Sequence, residues 1–216
     1  STSEMYGEVE TKLLNEKSRF NPRSPYAVAK LFAHGITKNY RESYGMFCCS
    51  GILFNHESTL RGEEFVTRKI TKQLCEISLG QRKFIELGNI YSKRDWGYAK
   101  DYVEGMWKML QQKKPEDFVL ATNTVYSVKY FLNECFKALN FNIEWKGKGL
   151  KEVAIDKKTK KIILKINPRY YRPAEVEYLK GSYKKAYTKL NWKPRVSLSK
   201  LINLMIEADL KRLKKN

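Results

Sequence analysis

Ser24-Pro25-Tyr26-Ala27-Val28-Ala29-Lys30 opens a run that closes on Tyr44-Gly45 and passes straight into Met46-Phe47-Cys48-Cys49-Ser50-Gly51-Ile52-Leu53-Phe54. Ser24 and Pro25 read as an N-cap and a first helical residue, and Gly45 as the residue that ends the helix. The apolar run 46–54, bounded by Gly45 and Asn55, reads as a buried strand. A helix feeding a buried strand is one repeat of an α/β fold with a parallel sheet. The alternation continues outward: helix over 65–79 closed by Gly80, strand 84–87, helix 99–112, strand 118–121, and a helix from the cap Ser127 to 139. Residues 152–166 read as two β-like runs around a lysine-rich tip, and 182–190 and 198–213 as closing helices with Pro194 between them.

The same opening helix carries chemistry. Tyr26 and Lys30 stand one turn apart on one face. A free tyrosine has a pKa near ~10 and is a poor base at neutral pH. An ammonium nearby favours the phenolate, which suits the pair to proton transfer at an alcohol or ketone. Coupled to hydride transfer, that is nicotinamide chemistry. The spacing alone is weak evidence in a chain with 14 tyrosines; its company is Ser1-Thr2-Ser3-Glu4-Met5-Tyr6-Gly7, a strand-like end carrying Thr-Ser-Glu before a Tyr-Gly turn.

Composition narrows the rest. At 216 residues and 42% apolar, the chain can build one domain or two small lobes. It has no apolar run of 18 residues and no visible signal peptide. Four cysteines without a C-x-x-C pattern support neither zinc nor a disulfide framework, and a cytoplasmic setting is expected. Cys48 and Cys49 are expected on opposite faces of the strand. The net charge of +19 is spread along the chain. Lys157-Lys158-Thr159-Lys160-Lys161 reads as an exposed hairpin tip, and no recognition motif supports a nucleic-acid partner. His34, Trp96 and Trp192 are assigned to packing.

Beyond the opening segments, Gly51-Ile-Leu-Phe-Asn-His-Glu-Ser58 and Arg169-Tyr-Tyr-Arg-Pro-Ala-Glu-Val-Glu177 are long and specific. With matches spread over nearly the whole chain, the sequence resembles the extended short-chain dehydrogenase/reductase family and, within it, the GDP-mannose 4,6-dehydratases. The resemblance implies an incomplete Rossmann-like parallel sheet with a smaller α/β lobe that binds the sugar nucleotide. It assigns 1–58 to the rear of the NADP-binding domain and 59–216 mainly to the sugar-nucleotide lobe, with 99–121 returning to the first. Active-site residues are expected in the cleft between the lobes.

The chemistry the resemblance implies is an internal redox dehydration of GDP-mannose to GDP-4-dehydro-6-deoxy-mannose. It serves fucose- or rhamnose-type nucleotide-sugar synthesis, with NADP as cofactor. Hydride leaves C4, water is eliminated across C5–C6, and the hydride returns at C6. Tyr26 is then the base for the C4 hydroxyl, with Lys30 tuning it and holding the nicotinamide ribose. Glu4 is the C5 base. It stands after Ser3, where glucose-nucleotide dehydratases carry an Asp, so one carboxylate serves both C5 and the leaving oxygen. Thr2 bonds the C4 oxygen. His56 and Arg61 match NADP contacts. Asn55, Lys69, Arg94, Arg172 and Glu175 match contacts to GDP-mannose. No metal is implied, and the full-length enzyme is expected to be a homo-oligomer, a dimer or tetramer.

One departure matters. No G-x-G-x-x-G or G-x-x-G-x-x-G follows an apolar strand, so the turn that cradles a dinucleotide pyrophosphate is absent from these residues. The chain is therefore expected to be the C-terminal part of a longer protein, lacking on the order of 100 residues or more, and to be catalytically silent by itself. Two other readings stay open: a sibling reductase or epimerase, against which Glu4 speaks because a simple reductase needs no C5 base, and a lobe that only binds nucleotide-sugar or a partner chain.

Overall fold

The computed structural model describes residues 1–8, 13–171 and 176–214. After a 3-10 turn over Ser3–Met5 come α1 (Pro25–Tyr44), β1 (Gly51–Leu53), β2 (Asn55–Glu57), α2 (Val66–Ser78), β3 (Ile85–Leu87), β4 (Lys93–Arg94), β5 (Trp96–Tyr98) and α3 (Ala99–Leu110). Then follow β6 (Phe118–Leu120), β7 (Tyr126–Ser127), α4 (Val128–Ala138), β8 (Ile143–Lys146), β9 (Val153–Asp156), β10 (Ile162–Ile166), β11 (Tyr178–Leu179), α5 (Lys184–Leu190) and α6 (Leu198–Leu213). The chain divides into two compact units. The first is Ser1–His56, Ser92–Tyr126 and Ala174–Ser197; the second is Glu57–Tyr91, Ser127–Pro173 and Leu198–Asn216.

The first unit is built on a parallel pair. β1 and β6 run side by side in register, Gly51 opposite Phe118 and Leu53 opposite Leu120, and Thr2 bridges Leu53 in parallel on the other flank. All three residues of β6 are buried, because both faces of the sheet are covered. Side chains alternate between them. Ile52, Phe54, Val119 and Ala121 join Met5, Tyr6, Leu14 and Leu179, while Phe118 and Leu120 join Tyr102, Met109, Leu190 and Trp192. Trp192 is a packing residue as expected, its indole N–H donating to the Asp101 carbonyl at 2.6 Å.

The helix that decides the fold forms as read. The Ser24 side chain accepts from the Ala27 amide, Pro25 starts the helix, and Gly45 closes it in the left-handed conformation with φ of 63°. The strand after it is shorter than expected. Met46 and Phe47 are exposed, and the Cys48 amide turns back to the Met46 carbonyl at 2.9 Å. The strand itself is only Gly51–Leu53, with the Ser50 carbonyl accepting from the Phe118 amide just before it, so the run 46–49 is not strand and the opposite-face placement of Cys48 and Cys49 has no strand beneath it.

The second unit carries a mixed four-stranded sheet in the order β3-β10-β9-β8, with β3 parallel to β10 and the other pairs antiparallel. The lysine-rich tip lies between β9 and β10 and is exposed. β8 escaped the sequence reading, since none of its residues is fully buried and no run of apolar residues marks it. Three helices, α2, α4 and α6, pack on one another. The α6 stripe Leu198, Leu201, Ile202, Met205, Ile206 follows helical spacing and continues to a buried Asp209.

Candidate functional site

In the first unit the sequence-predicted residues gather at strand ends. The Thr2–Leu53 bridge puts Thr2-Ser3-Glu4 beside the segment where β1 runs out into Asn55 and His56. These are the carboxyl ends of parallel strands, where open α/β sheets hold their ligands. The Thr2 side chain caps the 3-10 turn, accepting from the Glu4 amide at 3.4 Å. Glu4 is half-buried in that turn. Gly7 then reverses the chain with φ of +57°; a Cβ there would meet the Asn21 carbonyl oxygen at 1.8 Å, which explains the Tyr-Gly pair of the motif. The Asn21 amide donates to the Met5 carbonyl at 3.0 Å, and α1 packs against the Ser3–Met5 turn.

Tyr26 lies in the first turn of α1 with its side chain 56% exposed, and Lys30 Nζ sits 6.0 Å from the Tyr26 ring centroid. The pair shares one face, as its spacing requires. Deeper in the unit, the Asn55 side-chain oxygen is buried without a hydrogen-bond partner among the described residues. Leaving a buried acceptor unsatisfied costs ~1–3 kcal/mol, which a ligand donor would recover. His56 stacks on Tyr102 with ring centroids 5.0 Å apart, and its Nδ1 lies 2.8 Å from the Phe54 carbonyl. A carbonyl only accepts, so Nδ1 carries a proton.

Arg94 sits half-buried on β4, which pairs in parallel with β11, and donates to the Lys93 carbonyl at 3.0 Å. Its neighbour Asp95 is fully buried. It accepts from the Thr122 amide and hydroxyl, both at 2.7 Å, and from the Gly181 amide at 3.3 Å. Burial pushes its carboxyl up to about 6, against the opposing effect of those hydrogen bonds. A larger cleft of about 940 Å³ in this unit, lined by His34, Arg41, Asp117 and Lys185 among others, contains none of the predicted site residues. Its polar groups pair with one another: Arg41 grips Asp117 with two bonds of 2.7 and 2.9 Å.

In the second unit, Arg61 is held by its side chain and by its backbone. Its Nε lies 3.1 Å from Glu57 Oε2, an ionic contact without hydrogen-bond geometry, and its guanidinium stacks on Phe65 at 3.5 Å. Glu57 is buried and also accepts from the Thr67 hydroxyl at 2.8 Å. Burial pushes the Glu57 carboxyl up to about 7, opposed by the Arg61 charge and the Thr67 bond. Lys69 on α2 lies over the Tyr170 ring at 3.8 Å, and both line a cleft of about 370 Å³ with Arg82, Lys83 and Glu86. Burial pulls the Lys69 ammonium below the usual lysine range. Arg172 and Glu175 lie outside the described residues.

Sequence reasoning passed over Glu57, although it stands inside the motif 51–58, and over Arg68 and Asp209. Those two are nearly inaccessible and form an ion pair of 2.7 Å. The signal was available: each is a charged residue at an apolar position of an amphipathic helix. Among the described residues, no group of three or more His, Cys, Asp or Glu could hold a metal ion, and no helix is long and apolar enough to cross a membrane.

The family described as GDP-mannose 4,6 dehydratase matches residues 1–205. The GDP-mannose 4,6 dehydratase of Drosophila melanogaster is 50% identical over 216 residues, covering 100% of this chain and 55% of that protein. The Homo sapiens enzyme of the same name is 50% identical over 216 residues, with 58% of its length covered. The chain thus spans little more than half of the curated relatives it matches. In fold it is similar to dTDP-glucose 4,6-dehydratase from Bacillus anthracis, solved in complex with NAD. The TM-score is 0.80 at 16% identity, over 99% of this chain and 61% of that one. That likeness extends the α/β architecture to a Rossmann-like one. On its sequence, the chain belongs to the GDP-mannose 4,6 dehydratase family.

Proposed function

We propose that the protein carrying this chain is a GDP-mannose 4,6-dehydratase with NADP as its resident cofactor. The observation that carries the proposal is the Thr2–Leu53 bridge, which sets Thr2 and Glu4 beside Asn55 and His56 at the ends of adjacent parallel strands. The orphaned Asn55 oxygen adds a buried acceptor for a ligand hydroxyl or amide. The donors also fit an anionic dinucleotide. Arg61 is held through Nε and its ring-stacked plane, and its two terminal nitrogens make no hydrogen bond among the described residues. A planar guanidinium so presented matches a phosphate.

NADP, when bound, supplies the acceptor and then the donor of one hydride. Tyr26 accepts the C4 hydroxyl proton, with Lys30 one turn away on the same helix face. Thr2 bonds the C4 oxygen as it becomes a ketone, which acidifies C5. Glu4 removes the C5 proton and gives a proton to the departing C6 hydroxyl, so that water leaves. The proton taken up by Tyr26 balances the one that C5 regains at the end. His56 and Arg61 hold the cofactor; Asn55, Lys69, Arg94, Arg172 and Glu175 hold the nucleotide-sugar. The exposed apolar row of α1, Val28, Phe32, Tyr40 and Tyr44, suits a homo-oligomer, and light scattering over a range of concentrations tests this. A cytoplasmic setting agrees with four free cysteines and is checked by cell fractionation.

GDP-mannose deuterated at C4 tests the chemistry directly. The expected product carries that deuterium at C6 and one solvent hydrogen at C5. Reduced cofactor released in step with substrate consumed, with no label at C6, would replace the dehydratase by a simple oxidoreductase.

A further inference from the structure

The segment that carries Arg61 has an irregular backbone, yet two guanidiniums grip its carbonyls. Arg68, from the first turn of α2, donates through Nη1 to the Arg61 carbonyl at 3.0 Å and to the Thr59 carbonyl at 3.3 Å. Arg212, from the last turn of α6, donates through Nη2 to the same Thr59 carbonyl at 2.7 Å. Both converge on one carboxylate. Asp209 Oδ1 lies 2.7 Å from Arg68 Nη2 and 3.4 Å from Arg212 Nη1, and Asp209 Oδ2 accepts from the Thr71 hydroxyl at 2.7 Å. Asp209 is 1% exposed and Arg68 6%.

Helix packing alone gives no reason for this arrangement. A buried ion pair is weak evidence for stability, since an apolar pair of similar volume would serve as well or better. The carbonyls supply the missing reason. Thr59 and Arg61 lie in a turn closed by the Arg61 amide on the Ser58 carbonyl at 3.1 Å, and their own carbonyls, outside any helix or strand ladder, find their donors in Arg68 and Arg212. A guanidinium can serve two carbonyls and a carboxylate at once because its five N–H groups fan out in a plane. Glu57 and Phe65 fix the Arg61 side chain; Arg68 holds its carbonyl, and Arg68 and Arg212 together hold the Thr59 carbonyl two residues before it.

We propose that the Asp209–Arg68–Arg212 network is a positioning device for Arg61, which makes α6 part of the cofactor-binding apparatus although it is 137 or more residues further along the chain than Arg61. The proposal rests on the reading above in which Arg61 contacts NADP. Neither Asp209 nor the two arginines touches the cofactor in this view. They act by holding one loop in a single conformation, so that no ordering cost is left for the moment of binding.

The test uses Arg68→Lys, Arg212→Gln and Asp209→Asn in the whole protein, each alone and combined with Arg61→Ala. Lysine at 68 keeps the charge opposite Asp209 but cannot serve two carbonyls as well. Arg212 is 43% exposed in its side chain, so its replacement removes one carbonyl donor without stranding a buried charge, even if Asp209→Asn fails to fold. In cofactor-free protein, hydrogen exchange at the Arg61 amide should accelerate in all three. The NADP dissociation constant should rise about fivefold in Arg212→Gln and Arg68→Lys, within the range of ordinary coupling energies, with kcat at saturating cofactor held within about twofold. On the Arg61→Ala background the same changes should add nothing. Unchanged exchange, unchanged affinity, or an equal loss on the Arg61→Ala background each overturns the proposal. Arg61→Ala binding NADP as tightly as wild type would remove the cofactor contact itself, a failure distinct from Arg61→Ala binding weakly while the loop variants bind normally.

Discussion

Tyr26 and Arg61 stand in opposite kinds of surroundings. Tyr26 is on a capped, regular helix, and its side chain is more than half exposed with one cation 6.0 Å from its ring. Arg61 is on an irregular loop, yet its side chain is stacked and ion-paired and its carbonyl is held by Arg68. The helix supplies position through its own hydrogen bonds, so few tertiary contacts are needed around the tyrosine. The loop has no ladder, so every constraint on the arginine must come from elsewhere: Glu57, Phe65, Arg68, Arg212 and behind them Asp209. Mutations around Tyr26 should therefore show in chemistry, and mutations around Arg61 in stability and binding.

The sharpest version of that contrast is Tyr26→Phe. General acid–base groups contribute ~10²–10⁴ in rate, and turnover should fall by about that factor. Thermal stability and GDP-mannose affinity should barely move, because the ring keeps its place. Steady-state kinetics beside a melting curve make the check; a normal kcat with a raised KM would turn Tyr26 into a binding residue.

On the other side, Asp209→Ala leaves the buried Arg68 charge without its partner. Breaking a buried pair from one side costs ~3–5 kcal/mol, and urea denaturation should show a loss of that order. A loss under 1 kcal/mol would mean that the site relaxes or admits water, and that the carbonyls of Thr59 and Arg61 are not held as tightly as their distances suggest.

Glu57 offers a pH-dependent break in the same scaffold. Its folded pKa, pushed up to about 7 by burial, stands above the ordinary carboxylate value of 4.5. The folded state then binds the proton more tightly than the unfolded chain. The resulting stabilisation is full below pH ~4.5 and is lost as pH rises through ~7, with each pKa unit worth about 1.4 kcal/mol. Stability attributable to Glu57 should therefore decline by roughly 3 kcal/mol across that window. Glu57→Gln, which does not titrate, should flatten that part of the profile. A wild-type and mutant pair with parallel profiles would show that the Arg61 charge outweighs the burial.

The two regions also differ in how much the sequence disclosed. Ser24, Pro25 and Gly45 mark the α1 boundaries by local rules, and the structure follows them within a residue. The strand after α1 was overextended at its start, because an apolar run records burial propensity and not the presence of a neighbour; the ladder with β6 covers 51–53, with backbone bonds from Ser50 and Phe54 at its ends and none to β6 at 46–49. Thr2, Glu4, Asn55 and His56 are legible as motif residues, but their adjacency depends on the parallel bridge to Leu53, which no local pattern encodes. The Arg61 scaffold was the least legible part. Its members lie at 57, 65, 68, 209 and 212, and Arg68 and Asp209 read separately as mere interruptions of two apolar stripes. A charge on a buried helix face calls for a partner of opposite sign on another such face. Matching the two interruptions would have found the pair.

The smallest expected effect tests whether regularity alone positions Tyr26. Ala27 is the one fully buried residue of α1, so the first turn leans on its cap more than on packing. The Ser24 hydroxyl accepts from the Ala27 amide at 3.1 Å, and the Val28 amide reaches the Ser24 carbonyl at 3.0 Å. Ser24→Ala removes the first of these and keeps the second. Such a substitution costs ~0.5–2 kcal/mol, and replacement by Gly only a few tenths. Ser24→Ala should therefore fray the first turn, speed hydrogen exchange at Ala27, and lower kcat by a small factor with KM for NADP unchanged, while Ser24→Gly stays near wild type. If Ser24→Ala leaves kcat untouched although exchange at Ala27 quickens, the tyrosine does not depend on the helix end for its position. The contrast with the Arg61 loop would then lie in the chemistry of the two side chains and not in how each is held.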